Sequence, residues 1–191
     1  DGQYSGQQAS ASLGNKNGDW SWFVNFNQTH NSGQPLVFAN KLVSSSVAPA
    51  VGTPVVTGAL TGINNPQNLP WVILGSTTQY DTQQQHIKAK LAYDVSSTVR
   101  ASYTLGWWGN NATSNGQSYL RDTAGNPVYS GPVNINGRQY TLAATDISTN
   151  RSVLAHVVHG LNVKSNTKGV FDWEVAASLY DYSKDIQRAP T

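Results

Sequence analysis

"DWSWFVNFNQTH" (residues 19–30) alternates with a period of two. Trp20, Trp22, Val24 and Phe26 fall on one side, and Ser21, Phe23, Asn25 and Asn27 on the other. Alternation of this kind places successive side chains on opposite faces of a β-strand. The polar members are small amides and a serine, whereas the apolar members are very large. A strand so loaded on one side reads as facing something other than an ordinary core.

The pattern recurs along the chain. Ile87, Ala89, Leu91, Tyr93 and Val95 oppose His86, Lys88, Lys90, Ala92 and Asp94. Val99, Ala101, Tyr103, Leu105 and Trp107 oppose Arg100, Ser102, Thr104, Gly106 and Trp108. Phe171, Trp173, Val175, Ala177 and Leu179 oppose Asp172, Glu174, Ala176, Ser178 and Tyr180. Residues 153–164 follow suit with one blemish, because His159 shares the apolar face with Val153, Ala155, Val157, Leu161 and Val163. Ala9, Ala11 and Leu13 mark a weaker strand near the amino end. Six strands are therefore expected, and helical periodicity is poor throughout.

Their connections are of two kinds. Residues 15–19, 96–98 and 165–169 are short and rich in Asn, Gly, Ser and Thr, the residues that tight turns require. Residues 30–85 and 109–150 are far longer than the ~12–15 residues usual in compact domains. The first holds five of the eight prolines, and only residues 71–74 read as a short strand there. The second carries turn signals at Gly125-Asn126-Pro127 and Asn136-Gly137, which predict a small hairpin within it. Short turns then lie at one end of the sheet and long loops at the other.

Composition narrows the classes. Only 12% of the 191 residues are charged, about half the usual share, and the net charge of +2 gives no field for nucleic acid. The absence of Cys excludes a disulfide framework, a thiolate metal site and a Cys nucleophile. The termini read as those of an internal piece of a longer chain, with residues 1–191 as one partial domain.

A half-apolar antiparallel sheet is shared by soluble sandwiches and barrels. Three features favour a membrane wall instead. Strands of about ten residues match the ~9–11 needed to cross a bilayer at a tilt. Short turns opposite long loops is the outer-membrane layout, and aromatics gather near strand ends as interfacial girdles do. The charges Lys88, Lys90, Asp94, Arg100, Asp172 and Glu174 all fall opposite the apolar band. The expected fold is an all-β, antiparallel, up-and-down transmembrane β-barrel segment of about six strands, with short periplasmic turns and long extracellular loops.

"GNKNGDWSWFVNFNQTHNSGQPLVFA", "YTLGWWGNN…SYLRDTAGNPVYSG…VNINGRQYTL" and "HGLNVKSNTKGVFDWEVAASLYDYSKD" resemble the barrel wall of bacterial TonB-dependent outer-membrane receptors. The likeness covers most of the chain but is one of wall hairpins, not of a sharp motif. It implies a 22-stranded barrel whose plug, signal peptide and carboxyl-terminal strands lie outside residues 1–191. It also implies residence in the bacterial outer membrane and uptake of a scarce ligand such as an iron–siderophore complex. The implied partners are outer-membrane lipid, the protein's own plug and the energy-transducing TonB protein, with no nucleic acid. Phe23, on the amide side, would pack against that plug. Another porin-like outer-membrane barrel and a secreted glycan-binding β-sandwich are the alternative readings.

No Ser-His-Asp or catalytic carboxylate constellation stands out, so no enzyme, cofactor or metal site is expected. His156 and His159 are three apart and point to opposite faces of a strand, which rules against shared chelation. Asp172 and Glu174 are read as lumen-facing wall charges. Ligand contacts, if any lie in this segment, are expected from the long loops: Trp71, Tyr119 and Tyr129 by stacking, Arg121 and Arg138 by charge.

Overall fold

Where the sequence alternates, the backbone is extended, and Gly and Asn mark the reversals. A computed structural model describes residues 4–189. Among them are ten strands, no α-helix and one 3-10 turn at Val43–Ser45. The strands are β1 (Ser5–Asn17), β2 (Trp20–Ser32), β3 (Val37–Leu42), β4 (Leu60–Asn64), β5 (Pro70–Asp94), β6 (Val99–Ser118), β7 (Gly131–Ile135), β8 (Arg138–Leu142), β9 (Asn150–Ser165) and β10 (Glu174–Arg188).

The six expected strands are all present, as β1, β2, β5, β6, β9 and β10. They pair in that sequential order within one antiparallel sheet. β3 and β4 add to this sheet by pairing with β5, and β7–β8 forms a separate two-stranded ribbon. The path runs from β1 to β10 without closing into a barrel.

Turn chemistry explains the reversals. Between β1 and β2 lies Gly18-Asp19, with Gly18 at φ +58°. The predicted Asn136-Gly137 hairpin is β7–β8, and both turn residues have positive φ (52° and 78°). A two-residue turn that follows the twist of its strands needs that mirror-image geometry, which Asn and Gly adopt at little cost.

Three expectations need correction. Residues 30–85 are not mainly loop: β2 runs on to Ser32, and the strand foreseen at 71–74 is the start of a 25-residue β5. β3 and β4 also lie there, without the alternation that would have revealed them. The last strand starts at Glu174, not Phe171, because residues 166–173 form a longer turn. Asp172 belongs to that turn, not to the wall. Its carboxylate accepts bonds from Thr167 N (2.7 Å) and Ser165 Oγ (2.9 Å).

The chain divides into two compact units. The first comprises Asp1–Asn31, Thr82–Ala112 and Ser152–Gln187; the second comprises Ser32–Asp81, Thr113–Arg151 and Arg188–Thr191. They differ in how they bury apolar surface. The second unit has an ordinary core: Val72 and Leu74 of β5, Val133 and Ile135 of β7, Tyr140 and Leu142 of β8, with Leu120 and Ile147. Its packing is tight enough that a Cβ on Gly75 would lie 2.4 Å from the Gln117 carbonyl oxygen. On Gly58 it would lie 2.1 Å from that of Tyr119.

The first unit has no such cluster among the described residues, and burial in its β2 is inverted. In β2, Trp20, Trp22, Val24 and Phe26 are 38–51% exposed, while Ser21, Asn25 and Asn27 are half-buried. Ile87, Leu91, Tyr93, Tyr103, Leu105, Leu161, Val175 and Leu179 are exposed as well. These residues share one face, as contacts between strands attest. Trp20 stacks on Tyr93 with ring centroids 4.6 Å apart, and Tyr103 shares a 2.6 Å hydrogen bond with His159 Nδ1. The blemish at His159 is thus accommodated by a phenol on the neighbouring strand.

Candidate functional site

The opposite face of the first unit is polar, and pairing across the strands fixes which groups meet. Asn166 N donates to Thr98 O (2.7 Å), so two residues further along each strand Lys164 lies across from Arg100. Ser165 N donates to Trp173 O (2.8 Å), which sets Lys164 across from Glu174 on β10. On the other side Arg100 Nε lies 3.3 Å from Asp94 Oδ1. A row of four charged residues therefore crosses β5, β6, β9 and β10.

Their partners are unevenly distributed. Asp94 is also held by Lys16 Nζ at 2.8 Å, and Arg100 Nη2 donates to Ser21 Oγ at 2.5 Å. Glu174 accepts a bond from Asn162 Nδ2 rather than pairing with Lys164. Lys164 and Lys90 have no carboxylate within ion-pair distance among the described residues. Both line a cavity of about 710 Å³ on this face, as do Arg100, Glu174 and Phe23. Phe23, the one large apolar residue on the amide side of β2, thus looks onto the polar cavity.

A second cluster lies on the same face. His156 stacks near Trp108 (5.0 Å) and Tyr182 (4.6 Å), and its Nδ1 shares a 2.7 Å hydrogen bond with Tyr180. Its Nε2 is buried without a partner. A cavity of about 230 Å³ beside it is also lined by His86. His156 and His159 engage different groups, Tyr180 and Tyr103, as opposite faces require. No group of three or more potential metal ligands occurs among the described residues.

The five loop residues expected to contact ligand all lie in the second unit. Arg121 spends its guanidinium on the carbonyls of Ser118 (2.7 Å) and Leu120 (2.9 Å), which fastens its own loop. Tyr119 is tied through its backbone to Leu74 O (2.9 Å) and is half-buried. Trp71 lies in β5 opposite Leu42 and Ile63, its indole N–H buried without a partner. Tyr129 and Arg138 are exposed, and Arg138 donates weakly to Ser46 Oγ (3.3 Å). The cavities just described are lined by other residues.

Two turn carboxylates are held below the ordinary range. For Asp172 the main cause is the backbone N–H of Thr167, then the Ser165 hydroxyl. For Asp122 it is the backbone and side chain of Asn126. Both stabilise loops and face no reacting group. The convergence of Lys90, Arg100 and Lys164 went unforeseen. All three carry even numbers on strands whose even side is polar, so parity held the signal, but strand order was needed to bring them together.

The fold defines an all-β protein built on an open antiparallel sheet with one greasy and one charged face. No protein-family model, curated protein or solved structure matches the chain.

Proposed function

We propose that the chain is part of the wall of an outer-membrane TonB-dependent receptor, a transporter that takes up a scarce ligand such as an iron–siderophore complex. The observation that carries this reading is the inverted burial of β2: Trp20, Trp22, Val24 and Phe26 are exposed, while Ser21, Asn25 and Asn27 opposite them are half-buried. In water that arrangement wastes the hydrophobic effect, at about 25 cal/mol per Å² of apolar surface left wet. Against hydrocarbon it costs nothing, and the polar side then lines an aqueous or filled interior.

Sequential pairing of β1, β2, β5, β6, β9 and β10 supports the same reading, as do short reversals alternating with long excursions. In this proposal the first unit meets outer-membrane lipid; the second unit buries its own core. The polar face would line the lumen beside the plug, with TonB engaged through parts outside residues 1–191.

The experiment is to express residues 1–191 and test the need for detergent. The expected result is insolubility in buffer and a β-rich circular dichroism spectrum in micelles. A brominated detergent should quench Trp20 and Trp22 fluorescence. A soluble monomer that melts cooperatively without detergent would refute the membrane reading and favour a soluble sandwich.

A further inference from the structure

The polar-face cavity brings together three cations from three adjacent strands: Lys90 of β5, Arg100 of β6 and Lys164 of β9. Arg100 and Lys164 are direct cross-strand neighbours, an arrangement that is destabilising when nothing lies between the two charges. The nearby carboxylates do not resolve it. Asp94 is shared by Lys16 and Arg100, and Glu174 is bonded by Asn162. Two ammonium groups thus face one cavity without a paired carboxylate, and Glu174 is the one acidic residue that lines it. Its volume, about 710 Å³, falls in the range of small-molecule sites, roughly 300–1,000 Å³. With three cations to one carboxylate in its lining, such a cleft concentrates anions.

We propose that this cavity binds a small multivalent anion, of the polycarboxylate or oligophosphate kind. Lys90 and Lys164 supply the attraction, each as a mobile point charge with three donors. Arg100, braced by Asp94 and Ser21, presents a fixed guanidinium between them. Small residues such as Gly160 and Ala92 leave the floor open to a bulky anion, and Phe23 offers an apolar edge. Glu174 limits affinity by repulsion.

The test is isothermal titration of residues 1–191 in neutral-detergent micelles at low salt, with citrate and pyrophosphate in separate arms and glucose as the neutral control. Saturable binding of at least one anion, and none of glucose, is expected. Lys90→Gln and Lys164→Gln should each weaken it roughly five- to tenfold. Glu174→Gln should tighten it about threefold or more, a gain that misfolding cannot mimic. About 0.5 M salt should weaken binding sharply. The preferred anion decides between carboxylate and phosphate. Binding that ignores both lysine variants, or no binding to either anion by protein that keeps its β-sheet spectrum, overturns the proposal. Quenching of Trp20 and Trp22 by brominated detergent is read independently, so failure of the site and failure of the membrane reading are distinguishable.

Discussion

Replacing Phe26 by Arg puts a charge on the greasy side of β2, and the size of the effect follows from where Phe26 stands. β2 begins at Trp20, and Phe26 is on the same face and 38% exposed. At about 3.3 Å per residue and a tilt of about 40°, Phe26 lies about 15 Å above the level of Trp20. In an apolar band roughly 25 Å tall, that is close to the midplane. Arg there costs ~2–4 kcal/mol. The neighbouring substitution Asn25→Arg falls on the polar side. It removes bonds from Asn25 Nδ2 to Ser12 Oγ (2.8 Å) and Ala11 O (3.3 Å), and is expected to cost ~1 kcal/mol. The gap of about 2 kcal/mol is close to thirtyfold in the folding equilibrium. Urea titrations in micelles, followed by circular dichroism, measure it. If Phe26→Arg falls within about 0.5 kcal/mol of the parent, as surface substitutions do, the face is wet and the membrane argument fails.

Two further outcomes are expected. Gly58→Ala should destabilise by about 2–5 kcal/mol in thermal melts, since φ is +89° and the new Cβ would meet the Tyr119 carbonyl oxygen at 2.1 Å. A loss below ~1 kcal/mol would mean that this segment shifts freely. For Asp172, a native pKa below the unfolded one adds stability above the ordinary carboxylate range and loses it as pH falls through the depressed value. The protection factor of the Thr167 amide, its exchange rate taken relative to the intrinsic rate at each pH, should therefore fall on acidification from about pH 6 to about pH 2 in the parent, and change little over that range in Asp172→Asn.

Five of the six wall strands were legible because each satisfies one rule, large apolar against polar, over eight or more residues; β1 showed it only weakly, through Ala9, Ala11 and Leu13. Lys90 and Arg100 were readable as polar-side charges by the same rule. β3 and β4 were hidden because they pair only with the upstream half of β5, where Val72 to Ser76 are buried in succession and no alternation survives. The end of the β9–β10 turn was misplaced because Phe171 and Trp173 extend the alternation into residues whose backbone has already left the ladder. Their rings are exposed, and Asp172 turns inward to bond Thr167. Arg121 seemed free to grip a ligand because sequence cannot show that its guanidinium closes on Ser118 and Leu120. The cation cavity needed register, which long excursions between strands conceal.

The path from β1 to β10 leaves two edges. Along the 15 residues of β10, about seven N–H and as many C=O groups point away from β9, since alternate residues bond to alternate sides. In water those groups are solvated at no great cost. In hydrocarbon each unsatisfied one costs several kcal/mol, enough together to cancel what the greasy face gains. Partition into lipid and capture of new strands along these edges are then one thermodynamic event. The tendency of this sheet to enter a bilayer should rise with whatever supplies the missing hydrogen bonds, and should depend on concentration wherever that supplier is another molecule.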